Sequence, residues 1–180
     1  PGGGLLDKPK KLHEWPHEWV HNVAFSADSK VVVASGMQKL AAYTTADGKP
    51  VFASDQANGL KMGASTDVIY THGFVDTKRF TFAGKALPAW KSALPGNNHG
   101  GGPVAVTSDG TRVASYWAPD DHAGGCFEIR DAASGKVVVT CDRAKVSVQP
   151  ARAKFGAKDT LLATAFGPDI VVWETKKGTE

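Results

Sequence analysis

The strongest constraint on the fold of this chain is an internal repeat. In each copy, an apolar strand precedes a turn that contains Asp, and a second strand, usually β-branched, follows the turn. The copies are VAFSADSKVVVAS (23–35), MGASTDVIYTHG (62–73), VAVTSDGTRVAS (104–115) and AKFGAKDTLLAT (153–164). The turn aspartates lie 39, 42 and 50 residues apart, at Asp28, Asp67, Asp109 and Asp159. A period of this length is typical of repeat proteins.

A second hairpin follows each copy of the first. It places an apolar strand before a tight loop that ends in glycine, in AAYTTADGKPVF, KRFTFAGKALPAW, FEIRDAASGKVVV and VVWETKKGTE. Such loops need a residue in the left-handed region, which favours glycine. We therefore predict positive φ angles at Gly48, Gly84, Gly135 and Gly178. The unit is four antiparallel strands in roughly 40 residues, repeated four times in an all-β chain.

Two segments connect this repeat to a known family. HEWVHNVAFSADSK (17–30) matches the opening strand pair H-x-W-V-x-x-V-A-F-S-x-D-x-K, and VVWETKKG (171–178) matches the third strand, with Trp173 at the tryptophan position. On these residues the chain resembles the WD40-repeat family over nearly its whole length. The copies are degenerate, since Tyr43, Phe80 and Arg130 replace the tryptophan in the other units. The resemblance implies a β-propeller of four-stranded antiparallel blades.

The repeat boundaries indicate one propeller domain, or a propeller segment, over residues 1–180. The chain stops near the loop that should lead into a last outer strand, while LLDKPKKLHEW (5–15) is surplus at the start. We predict an N-terminal strand that closes the last blade (1–16), three complete blades (17–56, 57–95 and 96–143) and an incomplete fourth (144–180). The chain could close on itself, share an eight-bladed ring with a second chain, or belong to a larger propeller. We expect one of the last two.

The stretch HEWPHEWVH (13–21) contains the zinc-hydrolase signature H-E-x-x-H twice. This signature binds metal only on a helix, where both imidazoles share one face. Pro16 disfavours a helix in the first copy by about 3 kcal/mol, and the second copy runs into the repeated strand pattern. In a strand, His17 and His21 would lie about 13 Å apart. We therefore expect no zinc site and no catalytic residue here.

The two cysteines could face each other across a hairpin. If AASG (132–135) is the loop, Asp131 lies opposite Lys136 and Cys126 lies opposite Cys141. Cα atoms of such a pair are about 4.5 Å apart, so we expect a disulfide, with two reduced thiols as the alternative. A disulfide would indicate an oxidising compartment. Together with a start at Pro1, which removal of a signal peptide would explain, this predicts a periplasmic or secreted location, with the cytoplasm as the alternative.

Two long loops of the third blade are the best candidates for a binding surface. KSALPGNNHGGG (91–102) leads into that blade and WAPDDHAGG (117–125) interrupts it. Scaffolds commonly carry recognition on such loops, and an exposed tryptophan often dominates interface energy. The predicted partner-binding residues are Asn97, Asn98, His99, Trp117, Asp120, Asp121 and His122.

A metal site is the alternative use of the same loops. His99, Asp120, Asp121 and His122 have side chains that suit a divalent cation. Their spacing does not require one, so we expect solvated loop residues and no bound metal. Arg130, at a normally apolar position, could pair with Asp120 or Glu128.

The remaining sequence features favour a binding protein over an enzyme. No G-x-S-x-G elbow or phosphate-binding glycine loop occurs. Net charge is only +3, without a long basic run, and no apolar run suits a membrane span, so we expect neither a nucleic-acid nor a membrane partner. WD40 proteins serve mainly as interaction platforms. The resemblance therefore implies a non-catalytic scaffold without cofactor, in a homo-oligomer or larger complex, with a metal- or cofactor-dependent propeller enzyme as the alternative.

Overall fold

The computed structural model describes residues 10–17, 19–36, 39–55, 62–73, 75–93, 98–119, 124–144, 150–156 and 158–176. Within these ranges the chain forms strands and no helix. The strands are β1 (Asn22–Phe25), β2 (Val31–Ser35), β3 (Leu40–Thr44), β4 (Pro50–Ser54), β5 (Met62–Ala64), β6 (Val68–His72), β7 (Thr77–Thr81), β8 (Ala86–Trp90), β9 (Asn98–Val106), β10 (Arg112–Pro119), β11 (Gly124–Asp131), β12 (Val137–Ala144), β13 (Arg152–Gly156), β14 (Leu161–Phe166) and β15 (Asp169–Glu174).

The strands pair in chain order into four antiparallel sheets. Sheets one, two and three contain β1–β4, β5–β8 and β9–β12, and sheet four contains β13–β15. Each first hairpin turns at its Asp-containing segment. The second hairpins of sheets one to three turn at their glycine loops, which contain Gly48, Gly84 and Gly135. The predicted all-β architecture of antiparallel strand quartets is confirmed for sheets one to three. Sheet four has three strands in the part of the chain that is described.

The sheets pack face to face, and an apolar core fills each of the three spaces between them. Between sheets one and two it includes Val33, Leu40, Ala42, Met62, Ile69, Phe80 and Phe82. Between sheets two and three it includes Tyr70, Trp90, Val104 and Val113. Between sheets three and four it includes Tyr116, Phe127, Ile129, Phe155, Leu162, Phe166 and Trp173. Each sheet therefore packs against the sheet that precedes or follows it in the sequence, as in a propeller.

The first strand of each sheet lies on the inner side of the stack. β1 lies beside β5, β5 beside β9, and β9 beside β13. No comparable contact joins β13 to β1 in the described residues. Within the described residues the four sheets therefore form an arc, in which sheets one and four each pack against one neighbouring sheet.

The predicted closing strand is wrong for residues 10–16, which form no strand and lie against sheet one. Trp15 stacks on Tyr43 with ring centroids 4.8 Å apart, and its indole N–H donates to the Gly48 carbonyl at 2.9 Å. The His13 Nε2 lies 3.0 Å from the Thr45 carbonyl oxygen. Stacking and hydrogen bonds hold this segment at the β3–β4 turn. Residues 1–9 lie outside the described ranges, and the described part of 13–21 is not helical.

The predicted disulfide is wrong because a β-bulge changes the register of β11 and β12. Arg130 lies opposite Val137 as expected, but Ile129 lies opposite Val139, so Val138 is an extra residue. Beyond it, Cys126 lies opposite Asp142 and Cys141 lies opposite Phe127. A shift of one residue turns a side chain to the other face of the sheet. Both cysteines are buried and no disulfide joins them, so the extracytoplasmic location loses this support.

The same irregularity recurs between the third and fourth strands of the other complete sheets. In sheet one the register shifts between Ala42 and Tyr43, and in sheet two it shifts between Thr77 and Arg79. The glycine turns that lead into these outer strands follow the prediction. Gly48, Gly84 and Gly135 have φ angles of 72°, 85° and 72°. Gly178 lies outside the described residues.

Candidate interaction surface

Antiparallel pairing sorts the connections onto two edges of the sheets. The turns within the described first and second hairpins lie on one edge, which we call the turn face. The connections between second and third strands, and those between successive sheets, lie on the opposite edge, which we call the loop face. Both long loops of the third sheet belong to the loop face.

The structure brings together the strand ends that adjoin the two loops of the third sheet. Asn98 lies opposite Pro119 in the β9–β10 register, and His99 lies opposite Ala118. The loop before β9 therefore ends beside the point where the loop after β10 begins. Of the predicted binding residues, Asn97, Asp120, Asp121 and His122 lie outside the described ranges. The backbone thus places the start of β9 and the end of β10, from which the two predicted loops extend, side by side on the loop face.

Trp117 is not the exposed contact residue that the sequence predicts. Its side chain is 0% exposed because β10 continues as far as Pro119, so Trp117 lies within a strand. The indole packs edge-on against His72 with ring centroids 4.5 Å apart. Its N–H donates to the Ser115 hydroxyl at 3.1 Å. Trp117 is therefore a core residue between sheets two and three.

His72 joins sheets two and three near the loop face, a role that the sequence did not reveal. Its Nε2 lies 2.6 Å from the Tyr116 carbonyl oxygen, and its Nδ1 lies 2.8 Å from the Thr77 hydroxyl. Complete burial lowers the pKa of His72 to about 4, so the imidazole is neutral at pH 7. Because a carbonyl only accepts, Nε2 carries the proton and Nδ1 accepts from the Thr77 hydroxyl. The only sequence signal was a histidine at the end of a repeat strand.

A buried ion pair anchors the segment that leads into the third sheet. Glu128 is 0% exposed and pairs with the guanidinium group of Arg130 through the Arg130 Nε at 3.1 Å. The other carboxylate oxygen accepts from the Ser92 hydroxyl at 2.9 Å and from the Ala93 backbone N–H at 2.7 Å. Of the two partners considered for Arg130, Glu128 is confirmed. The first residues of the loop are therefore held by hydrogen bonds to a charge.

Arg130 extends this anchor in two directions. Its Nη2 donates to the Lys91 carbonyl at 2.6 Å, and its Nη1 donates to the Gly135 carbonyl at 2.8 Å. The guanidinium carbon of Arg79 lies 4.3 Å from the centroid of the Trp90 ring, within cation–π range. The start of the loop before β9 is therefore fixed to both neighbouring sheets.

The turn face carries a shallow groove of about 560 Å³ between sheets one and two. It is lined by Ser26, Ala27, Asp28, Val31, Val51, Thr66, Asp67, Thr81, Phe82 and Ala83. Asp28 accepts from the Ser26 hydroxyl at 2.8 Å, and this bond is the largest cause of its lowered pKa. Asp109 occupies the equivalent turn of sheet three, where hydrogen bonds from Thr111 and Thr107 lower its pKa to about 2. These carboxylates stabilise turns.

The described residues offer no cluster of metal ligands. No group of three or more His, Cys, Asp or Glu side chains lies close enough within them to hold a metal ion. Of the residues in the predicted alternative cation site, His99, Asp120, Asp121 and His122, the last three lie outside the described ranges. The described part of the chain also has no helix long and apolar enough to cross a membrane.

Comparisons with known proteins establish the fold and no more. No protein-family model matches the chain, and no curated protein matches it. The structure is similar to KlAtg21, solved as "Complex of KlAtg21 with coiled-coil of AgAtg16", with a TM-score of 0.64 and 15% identity over 89% of this chain and 53% of that one. It is also similar to Kluyvelomyces marxianus Hsv2, with a TM-score of 0.66 and 14% identity over 86% of this chain and 46% of that one. The chain thus has the fold of a WD40-like β-propeller and spans about half the length of these two proteins.

Proposed function

We propose that this chain is a non-catalytic propeller scaffold that binds a protein partner through the loop face of its third sheet. The observation that carries the proposal is the pairing of Asn98 with Pro119, the residues next to the end of the first long loop and the start of the second. Loops that start from rigid strands are common sites of recognition, because their ends are already fixed and they lose less conformational entropy when a partner binds.

The anchored base of the first loop supports the same surface. Glu128 holds Ser92 and Ala93, and Arg130 holds the Lys91 carbonyl. A loop whose first residues are fixed in advance loses less conformational freedom when a partner binds. A buried ion pair costs desolvation energy, so its position beneath this loop favours a specific use of the loop.

A protein partner is favoured over other classes of ligand. The similar KlAtg21 was solved in complex with a coiled coil of AgAtg16, which shows that a propeller of this fold can bind a protein. The predicted contact residues combine amide, imidazole and carboxylate groups at Asn97, Asn98, His99, Asp120, Asp121 and His122. Such groups suit the polar, adaptable contacts of a protein interface.

Site-specific photo-crosslinking tests this function. A photo-crosslinking amino acid replaces Asn97 or Asp121 on the loop face, and matched controls replace the exposed Ala46 or Ala133 on the turn face. In cells that naturally produce the protein, we expect both loop-face variants to give an adduct of the same mass with the same protein. The controls should give none. Adducts that form only at the control positions, or equally at both sets, would contradict the proposal.

A further inference from the structure

The groove on the turn face, which we call the turn-face groove, results from turns of unequal length where sheets one and two meet. A hydrogen bond from the Ser26 N–H to the Val31 carbonyl closes the β1–β2 turn. The β5–β6 turn is two residues shorter, because its hydrogen bond joins Ser65 to Val68. The shorter turn leaves an open space of about 560 Å³ beside the longer one. Sites for ligands in proteins commonly have volumes of roughly 300 to 1,000 Å³.

At the two other junctions between sheets, the turns of the first hairpins contact each other. Between sheets three and four, the Asp159 carboxylate accepts from the Ser108 backbone N–H at 3.1 Å and from the Ser108 hydroxyl at 2.5 Å. Between sheets two and three, a Cβ added to Gly110 would lie 3.0 Å from the Ser65 Cβ. Sheets one and two each have four strands, so the open groove between them is a local departure from the repeat.

An apolar surface lies inside the turn-face groove. It is formed by Val31 of β2, Val51 of β4 and Phe82 of the β7–β8 turn. Val51 is the extra residue of the bulge between β3 and β4, and it is 36% exposed. Phe82 packs in the core between sheets one and two. This surface can therefore cover the apolar part of a ligand without rearrangement of the core.

Each wall of the groove carries a carboxylate, Asp28 from sheet one and Asp67 from sheet two. The Asp28 Oδ1 accepts the two hydrogen bonds that shape its turn, from the Ser26 hydroxyl at 2.8 Å and from the Lys30 backbone N–H at 3.1 Å. The Asp28 Oδ2 lies 3.3 Å from the Lys30 Nζ. The Lys30 side chain is 81% exposed, and exposed ion pairs contribute little stability. A cation from a ligand can therefore replace Lys30 without loss of the turn.

The second carboxylate has a weaker contact within the fold. Asp67 accepts from the Thr66 hydroxyl of its own turn at 3.3 Å. Among the residues that the structure describes, no Lys, Arg or His lines the groove. The chain as a whole has a net charge of +3, so the negative charge of the turn-face groove is a local feature and not a property of the whole surface.

We propose that the turn-face groove binds a lysine or arginine side chain of an extended basic peptide in a partner protein. The aliphatic stem of that side chain packs on Val31, Val51 and Phe82, and its cationic end lies between Asp28 and Asp67. Lys and Arg combine these two properties, because their stems cover apolar surface while the charged end stays polar. Complementary charge selects a basic peptide over an acidic one. The site lies on the edge opposite the loop face, so it is separate from the partner contact proposed there.

An NMR titration of the full chain tests this site. The probe is a short synthetic peptide in which lysine alternates with serine, and the control peptide has glutamine in place of every lysine. Amide proton–nitrogen spectra detect even millimolar binding and show where it occurs. We expect saturable shifts of amides in the turns that contain Asp28, Asp67 and Phe82 with the lysine peptide alone. These shifts should weaken at high salt, which screens exposed charges.

Two variants alter the groove, and each has a matched control in sheet three. Asp67→Asn removes one charge, and Asp109→Asn makes the same change in the corresponding turn. Val51→Lys adds a cation to the groove, and Val138→Lys adds one at the extra residue of the equivalent bulge, which is 50% exposed. The affinity for the lysine peptide should fall at least about threefold in Asp67→Asn and about tenfold in Val51→Lys. Both controls should stay within about twofold of the unmodified chain.

The same spectra show whether each variant is folded and whether the proposal fails. A lack of saturable shifts with the lysine peptide in the unmodified chain would overturn it. So would equal binding of the glutamine peptide, shifts centred outside the groove, or equal losses of affinity in the groove variants and their controls. Ala46 and Ala133, the control positions for crosslinking, do not line the groove. The result is therefore independent of the experiment on the loop face.

Discussion

Gly84 combines a left-handed backbone with close packing at the residue scale. Its φ angle is 85°, and a Cβ at this position would lie 2.6 Å from the Cβ of Phe52 in the adjacent sheet. We expect Gly84→Ala to lower the free energy of unfolding by about 2 kcal/mol or more, because backbone strain and a steric clash act together. Urea denaturation monitored by circular dichroism measures this loss.

Gly156→Ala is the matched control for this substitution. Gly156 lies in β13, and an added Cβ there meets no atom within 4 Å. The free energy of unfolding should change by no more than about 0.5 kcal/mol. Equal losses in the two variants would show that neither the left-handed turn nor the contact with Phe52 matters for stability.

At the scale of single residues, the glycine turns could be predicted from the sequence, whereas the surroundings of Cys126, Cys141 and Trp117 could not. The glycine loops were predictable because a tight loop restricts which residue can adopt a positive φ angle. The failure of Cys126 and Cys141 to face each other was not predictable, because one extra residue at Val138 reverses the side-chain direction. A bulge leaves little trace in a pattern of Val and Thr. Trp117 looked like a loop residue because a proline and two aspartates follow it closely in the sequence. In the structure, β10 continues through Ala118 and Pro119, so Trp117 lies within a strand.

At the scale of elements, the contact between sheets two and three depends on a neutral histidine. His72 is buried and its pKa falls from 6.5 to about 4, which corresponds to roughly 3 kcal/mol. Below pH 6.5 the unfolded chain binds a proton that the folded chain does not bind until about pH 4. Stability should therefore fall as the pH decreases through this window and should be fully present above it.

Denaturation at pH 7 and at pH 4.5 measures this effect. His72→Gln is the control, since glutamine keeps a donor for the Tyr116 carbonyl but does not titrate. The unmodified chain should lose about 2 to 3 kcal/mol more than the variant between these pH values. Asp109, with a pKa lowered to about 2, titrates below this range. The same pH dependence in both proteins would rule out His72 as its source.

Strands and turns were predictable at this scale, whereas the contacts between sheets were not. The repeat placed each hairpin because apolar strands alternate with Asp and Gly turns. The links made by His72 and by the Glu128–Arg130 pair join residues that are 35 to 44 positions apart. A one-dimensional pattern carries no information on which side chains meet across sheets. Arg130 was noticed only because it replaces an aromatic residue.

At the scale of the whole molecule, stability should decrease from the middle of the arc towards its ends. Sheets two and three each pack against two neighbours, whereas sheets one and four each pack against one in the described chain. We expect backbone amides of β1 and β15 to exchange hydrogen before those of β6 and β10. Hydrogen exchange followed by mass spectrometry measures the order.

The outcome that would contradict this prediction is uniform protection of all the sheets. Protection of β1 and β15 equal to that of the central strands in dilute solution would show that the arc unfolds as one unit.

The number of sheets was predictable from the repeat, but the position of residues 10–16 on sheet one was not, because it depends on one aromatic stack and two polar contacts.

The bulges of the outer strand pairs also affect whether sheet edges of separate molecules pair at high protein concentration. An irregular, twisted rim is a poor template for the addition of a foreign strand, so the bulges protect the outer edges of sheets one, two and three. β15 has no such protection: its register with β14 runs without a shift, and it forms an edge among the described residues. Its centre is the β-branched run Ile170, Val171 and Val172. Among the described strands, β15 is therefore the one best suited to template the addition of a foreign strand.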